Sequence, residues 1–379
     1  MKRIGHPPDY TLITLIFVIT LFGLIMLSSA SGILGYEKFG DSFWYLKHQL
    51  LNGLLPGLIL FLLLARIDFR TWKKFSPLLL FLSIGLLVLV FIPALGASYG
   101  KARSWINIAG FSLQPAEIVK LTFLLYLAAW LAKTRERVDS WAYGFLPFII
   151  FLGAVLGLVI MQPDMGTMSI ILFMSLAVFF VAGAKLKHLA LILFGCLAGF
   201  IALIKIAPYR MARFTAFLDP SLDPQGIGYH INQALLAVGS GGWFGLGLGH
   251  SKQKFQYLPE VPGDSIFAIM AEELGFLVIT GFIIIFLLLF WQIIKVARNS
   301  PDSFGQLIAV GVAAWLTGQF FVNVGAMLGV LPLTGLPLPL VSYGGTAMMT
   351  SLAALGIVVN ISKFTRPGRI SSKVRFKRR

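Results

Sequence analysis

Ten apolar runs follow one another through most of this chain of 379 residues. They lie near residues 11–31, 46–65, 77–96, 117–131, 143–161, 166–183, 186–206, 265–294, 306–330 and 346–362. A helix needs about 20 residues to cross about 30 Å of hydrocarbon, and most of these runs meet or approach that length. They are continuous rather than alternating, which excludes a closed barrel. An ordinary soluble domain is excluded too, because 58% of residues are hydrophobic, 12% are charged and mean hydropathy is +0.86. The expected fold is an all-α polytopic membrane protein of about ten transmembrane helices.

Short cytoplasmic loops retain cations during insertion, so the 31 Lys and Arg report orientation. Most of them fall at Lys2 and Arg3, and then in every second connection. Arg66, Arg70, Lys73 and Lys74 are followed by Lys133, Arg135 and Arg137, then Lys185 and Lys187, then Lys295 and Arg298, and finally the tail beyond Ser362. Both termini are therefore predicted to be cytoplasmic, and the long connection between the seventh and eighth runs external. The net charge of +16 is mostly this topology signal. Cations scattered over membrane edges do not make a nucleic-acid domain; an anionic inner leaflet is their expected neighbour. The N-terminus reads as an uncleaved first helix. The single cysteine, Cys196, excludes intrachain disulfides and cysteine metal sites, and the five histidines share no metal-ligand spacing. Residues 1–365 read as one integral-membrane domain and 366–379 as a basic cytoplasmic tail.

Four places put polar groups where hydrocarbon discourages them, all on the predicted external side. The first runs from Lys101 and Arg103 to Gln114, Pro115, Glu117 and Lys120. Glu117 and Lys120, three apart, share a helix face and read either as a structural ion pair or as one wall of a polar cavity. The second is the turn Gln162–Thr167, where Asp164 suits a helix cap. The third is the connection 207–263, dense in glycine and carrying Arg210, Arg213, Lys252 and Lys254, a set able to neutralise phosphates. It lacks the Gly-Lys-Ser/Thr ending of a P-loop, and it ends on Asp264, a carboxylate at a membrane boundary and the leading candidate for chemistry. The fourth is Glu272 and Glu273, two turns into the eighth run; at 100° per residue, at most one is expected to face the cavity of Asp264. The Pro- and Gly-rich loop 331–345 reads as a gate or a connector.

Taken together, the motifs resemble the SEDS family of shape, elongation, division and sporulation proteins. They run Tyr209-Arg210, Arg213, Phe217-Leu218-Asp219-Pro220, Gly228-Tyr229, Gly239-Ser240-Gly241-Gly242, Gly247-Leu248-Gly249, Leu258-Pro259-Glu260, Asp264 and Glu272-Glu273-Leu274-Gly275. Gln114-Pro115-Ala116-Glu117 with Lys120, Gln162 to Thr167, and Pro332 to Gly345 match as well. The resemblance implies a peptidoglycan glycosyltransferase that polymerises lipid II at the outer face of the bacterial cytoplasmic membrane. Asp264 would be the catalytic general base of an inverting transfer. Arg103, Arg210, Arg213, Lys252 and Lys254 would offset charge on the leaving pyrophosphate, with Glu117, Lys120 and Glu272 or Glu273 lining the lipid cavity. No cofactor is implied, although the pyrophosphate leaves room for a divalent cation. The implied partners are a class B penicillin-binding protein, the cross-linking transpeptidase, and other divisome proteins.

The stretch from Ser28-Ser29-Ala30-Ser31 to Gln49 and the ending Val359-Asn360-Ile361-Ser362 resemble the division branch more than the elongation branch. The chain departs from the family around its key residue. Pro262-Gly263-Asp264-Ser265 replaces the common His-Thr-Asp-Phe, His230 stands where glutamine is common, and Ala234 where serine is common. A lipid flippase and a noncatalytic divisome scaffold are the rival readings, since charged groups in a membrane cavity also serve translocation.

Overall fold

The computed structural model describes residues 6–93, 96–99, 102–108, 111–206, 211–212, 215, 217–219 and 226–365. The first seven apolar runs are helices α1 (Tyr10–Phe39), α2 (Trp44–Arg66), α3 (Ser76–Leu89), α4 (Pro115–Thr134), α5 (Trp141–Met161), α6 (Met165–Val181) and α7 (Leu186–Ile206). The polar connection contributes α8 (Ile227–Ser240), and the last three runs are α9 (Ile266–Arg298), α10 (Ser303–Met327) and α11 (Gly345–Ser362). Among the described residues seven of these helices are long and apolar enough to cross a membrane, while α3, α6 and the stretch Leu186–Gly199 of α7 are shorter apolar segments. Prolines sit at the helix starts where a missing N–H costs nothing, as at Pro77 and Pro115. Pro56 and Pro147 instead lie inside α2 and α5, and each is preceded by a turn of π-helix, Leu50–Leu54 and Trp141–Phe145. A proline ring displaces the preceding carbonyl.

The helical membrane fold expected from the sequence holds, with one addition. Between α3 and α4 the chain forms an antiparallel sheet of three strands, β1 (Gly96–Tyr99), β2 (Ala102–Ile108) and β3 (Phe111–Leu113), in that order. Strands this short fall below the window that detects membrane helices. Their signal is the period-two burial of Ser104 and Ile106.

Among the membrane helices, α4, α10 and α11 are 83%, 72% and 83% buried along their apolar windows, whereas α2, α5 and α9 are 33%, 33% and 28% buried. The first three therefore form the core, and the others face lipid. Lipid tails are as apolar as the core, so packing rather than hydrophobic transfer drives the helices together, and small residues mark the contacts. Gly356 of α11 shows this: a Cβ there would lie 2.7 Å from the carbonyl oxygen of Phe61 in α2. Gly356→Leu is accordingly expected to lower stability by about 1–3 kcal/mol through overpacking. Thermal unfolding in detergent tests this, and a wild-type midpoint would contradict the packing argument.

Polar bonds tie the connections together at each end of the bundle. At one end Arg70 donates to Asp302 (2.9 Å), Arg135 to Ser303, Lys363 to the Ala65 carbonyl (2.7 Å), and Lys185 pairs with Asp139 (3.3 Å). The backbone of His6 reaches the Lys363 carbonyl there as well (2.9 Å). This end gathers the described cations that the sequence assigns to the cytoplasm; Lys2, Arg3 and the tail 366–379 lie outside the described residues. The opposite end gathers Gln114, Asp164, Asp264 and the Pro-rich loop.

Candidate active site

The long helix α9 is broken. Gly275 has φ 73° and ψ 176°, which separates a half-helix, Ile266 to Leu274, from the remainder. Phe276 to Arg298 covers roughly 34 Å at 1.5 Å per residue, enough by itself to cross the hydrocarbon. The half-helix therefore stands at the mouth of the bundle. Backbone freed by such a break must find partners at membrane depth, and the glycine-rich segment supplies them. Leu246 and Gly247 donate to the carbonyls of Glu272 and Glu273 (both 3.0 Å), while Phe276 and Leu277 donate to those of Gly242 and Trp243 (2.9 and 3.2 Å). The glycines follow from this approach, since a Cβ on Gly245 (φ 78°) would sit 2.2 Å from the Glu273 carbonyl oxygen.

This geometry corrects one expectation about Glu272 and Glu273. They are not two turns down a continuous span but at the end of the half-helix, where its carbonyls run out. Both lie away from the turn of Asp264, because the segment 251–254 folds over that end and engages both. Glu272 accepts from the Lys252 and Gln253 amides (2.9 and 3.3 Å) and from the Ser251 hydroxyl. Glu273 accepts from the Lys254 ammonium (2.8 Å) and from the hydroxyl of Ser29 in α1 (2.6 Å). Both carboxylates are buried, and their bonds offset the desolvation that burial costs. Lys254 is buried with them, whereas Lys252 is exposed.

Asp264 lies at the other end of the half-helix, half-buried, two residues before its first turn. That is the positive end of the helix dipole, where a carboxylate is favoured. Its carbonyl accepts from Asn323 of α10 (2.8 Å), and the same amide group reaches the Leu336 carbonyl (2.8 Å). A crevice too narrow to hold a water molecule runs there between Asp264, Asn323, Met327 and residues 333–336. The neighbouring Ser265 is buried and bonded to His230 of α8 and to the Pro259 carbonyl, 2.7 Å each. Tyr343 donates its amide to the Pro262 carbonyl (2.8 Å), so the Pro-rich loop packs directly on the turn that carries Asp264.

Glu117 and Lys120 form a buried ion pair at 2.7 Å, one turn inside α4, with side chains 1% and 0% exposed. Lys120 also donates to Gln319 (2.8 Å) and lies 4.8 Å from the ring centre of Trp315. Gln319 holds the Pro337 carbonyl (2.8 Å). Trp315, Gln319 and Asn323 recur every four residues along one face of α10 and thus link the ion pair to the loop beside Asp264. The sequence reading missed this stripe, although polar residues at helical spacing inside an apolar run were its signal. Asp164 caps α6 through the Thr167 amide (2.9 Å) and accepts from Gln114 (3.2 Å).

The structure thus places the sequence candidates in two groups. Asp264 connects through α10 to Glu117 and Lys120, while Lys252, Lys254, Glu272 and Glu273 form a separate clasp at the far end of the half-helix. Arg210 and Arg213 lie outside the described residues, as does the side chain of Arg103, whose backbone belongs to β2. Among the described residues no three His, Cys, Asp or Glu side chains are grouped to hold a metal ion.

A family model described as a cell cycle protein matches residues 10–367. The chain belongs to the FtsW/RodA/SpoVE family. It is similar to the stage V sporulation protein E of Bacillus subtilis (strain 168), with 40% identity over 359 residues, 95% of this chain and 98% of the relative. It is also similar to a probable peptidoglycan glycosyltransferase FtsW of Geobacter sp. (strain M18), with 37% identity over 363 residues, 96% of this chain and 98% of the relative. Among solved structures, a chain of a peptidoglycan synthase complex that coordinates polymerization and crosslinking superposes with a TM-score of 0.77 at 29% identity, covering 94% of this chain and 97% of that one. The rod shape determining protein RodA of Thermus thermophilus superposes with a TM-score of 0.70 at 29% identity, covering 95% and 98%. As in those relatives, the chain is a helical multi-pass membrane protein.

Proposed function

We propose that this chain polymerises lipid II into glycan strands at the outer face of the bacterial cytoplasmic membrane. Lipid II is both donor and acceptor. Asp264 takes the proton of the acceptor hydroxyl as it attacks the anomeric carbon of the donor, and undecaprenyl pyrophosphate departs. An α-linked donor giving a β-1,4 link proceeds with inversion, so one base suffices and no covalent intermediate forms. The observation that carries this reading is the position of Asp264: a half-buried carboxylate at the mouth of a half-helix, at the end of the bundle opposite the described cationic loops.

Arg103, Arg210 and Arg213 offset charge on the departing pyrophosphate, whereas Lys252 stands in the clasp at the far end of the half-helix. Lys254 serves the fold instead, through Glu273. The glycosyltransferase name of the FtsW relatives supports the chemistry. The likeness to sporulation and FtsW proteins, at 36–40% identity, fits the division branch that the sequence motifs favour. The likeness to a chain of a synthase complex supports a cross-linking transpeptidase of the class B penicillin-binding type as partner. Both termini are cytoplasmic in this reading, residues 1–365 form one membrane domain, and no cofactor is called for; whether a divalent cation assists the pyrophosphate is read by the chelator arm below.

Purified chain, its transpeptidase partner and fluorescent lipid II in detergent test the proposal, with arms lacking the partner and containing a chelator. A ladder of glycan polymer is the expected product, and the chelator arm reads the cation requirement. Lipid II crossing vesicle membranes without polymer would move the assignment to a flippase. Partner binding with neither activity would leave a scaffold.

A further inference from the structure

Ser265 is the N-cap of the half-helix, yet its hydroxyl makes no capping bond. A serine at that position ordinarily turns its oxygen onto the first-turn amides. Here the side chain is fully buried and held the other way, 2.7 Å from the Pro259 carbonyl and 2.7 Å from His230 Nε2. The hydroxyl has one proton, and it goes to Pro259; the imidazole must therefore donate through Nε2. The Ser265 amide meanwhile reaches the Glu260 carbonyl (3.3 Å), as does the Gly263 amide (3.0 Å). Ser265 thus closes the turn 259–265 with both its backbone and its side chain, and Asp264 is the residue enclosed just before it.

We propose that His230 is a positioning residue for the glycosyl transfer. By donating to Ser265 it keeps that hydroxyl off the helix end and on Pro259, which holds the turn closed and the Asp264 backbone in one place. A donor on the hydroxyl's lone pair also strengthens the bond that the hydroxyl itself donates. Without His230 the Ser265 hydroxyl loses the donor that holds it on Pro259, and the turn loses its latch. A single hydrogen bond contributes about 0.5–1.5 kcal/mol, so the midpoint should stay close to wild type while the rate falls. The inference rests on Asp264 being the base.

The test measures kcat and KM for lipid II, together with thermal midpoints, on purified variants with the partner present. His230→Leu is expected to lose at least tenfold in kcat, with KM within twofold and a midpoint close to wild type. His230→Gln keeps an N–H donor and should recover most of the rate. Ser265→Ala removes the hydroxyl, and with it both the acceptor for His230 and the bond to Pro259, while leaving everything else the imidazole touches in place; it should match His230→Leu, and the double variant should be no slower than either. A His230→Leu enzyme within twofold of wild-type kcat overturns the proposal, and so does a His230→Gln enzyme as slow as His230→Leu. If His230→Leu does not fold, a Ser265→Ala enzyme with wild-type kcat overturns it equally. Polymer made by Asp264→Asn would sink the underlying assignment of the base, whereas a dead Asp264→Asn beside a fast His230→Leu sinks only this inference.

Discussion

Asp264→Asn is expected to abolish measurable glycan polymerisation while leaving the protein folded and lipid II bound. Asparagine matches aspartate in size, and one contact that holds the residue, from Asn323 to its carbonyl oxygen, uses the backbone and survives. The clasp at the other end of the half-helix, through Glu272 and Glu273, is untouched. What disappears is the proton acceptor. A positioned general base is worth roughly 10²–10⁴ in rate, so turnover should drop by at least two orders of magnitude with little change in lipid II affinity. Asp264→Glu keeps the carboxylate and displaces it by about one methylene. Since small misplacements of a catalytic group cost about a hundredfold, it should be slow as well, but faster than asparagine over long incubations. Gel separation of polymer from fluorescent lipid II, alongside a thermal midpoint, reads all of this. Glycan strands of normal yield from Asp264→Asn would remove the base from position 264.

How much of this was visible beforehand depended on the range of each signal. Every apolar run became a helix because hydropathy is a local property. The strands at Gly96–Tyr99 and Ala102–Ile108 escaped because they are short and their pairing is decided by turns rather than by composition. Asp264 stood out because a carboxylate at a membrane boundary is costly wherever it falls. The break at Gly275 did not, since a glycine inside an apolar helix is common in membranes, and only the approach of Gly241 and Gly245 from another segment reveals its conformation. For the same reason the clasp on Glu272 and Glu273 has no sequence signal. Helical phase sets them about 100° apart, but a loop folding over a helix end reaches both. The role of Lys254 against Glu273 and Ser29 joins three segments far apart in the chain, and no spacing rule contains it.

Lys120→Met is expected to destabilise the protein by roughly 3–5 kcal/mol, because removing one partner of a buried ion pair strands the other. Lys120 is fully buried, and its ammonium contacts Glu117, Gln319 and the face of Trp315. Once it is gone, Glu117 keeps a buried carboxylate with no hydrogen-bond donor in reach among the described residues, so it must either stay charged in a dry core or take up a proton. Replacing both partners removes the stranded charge, and exchanging a buried pair for groups of similar volume is often neutral. Glu117→Gln with Lys120→Met should therefore unfold at a higher temperature than Lys120→Met alone, a reversal that distant, independent sites would not give. Tryptophan fluorescence in detergent follows both variants, Trp315 being part of the contact. A double variant less stable than the single would refute the buried-pair account. Polymerisation separates the two readings of the pair: a double variant that is stable yet makes no polymer gives Glu117 and Lys120 a substrate-facing task, and one that is stable and active confines them to packing α4 against α10.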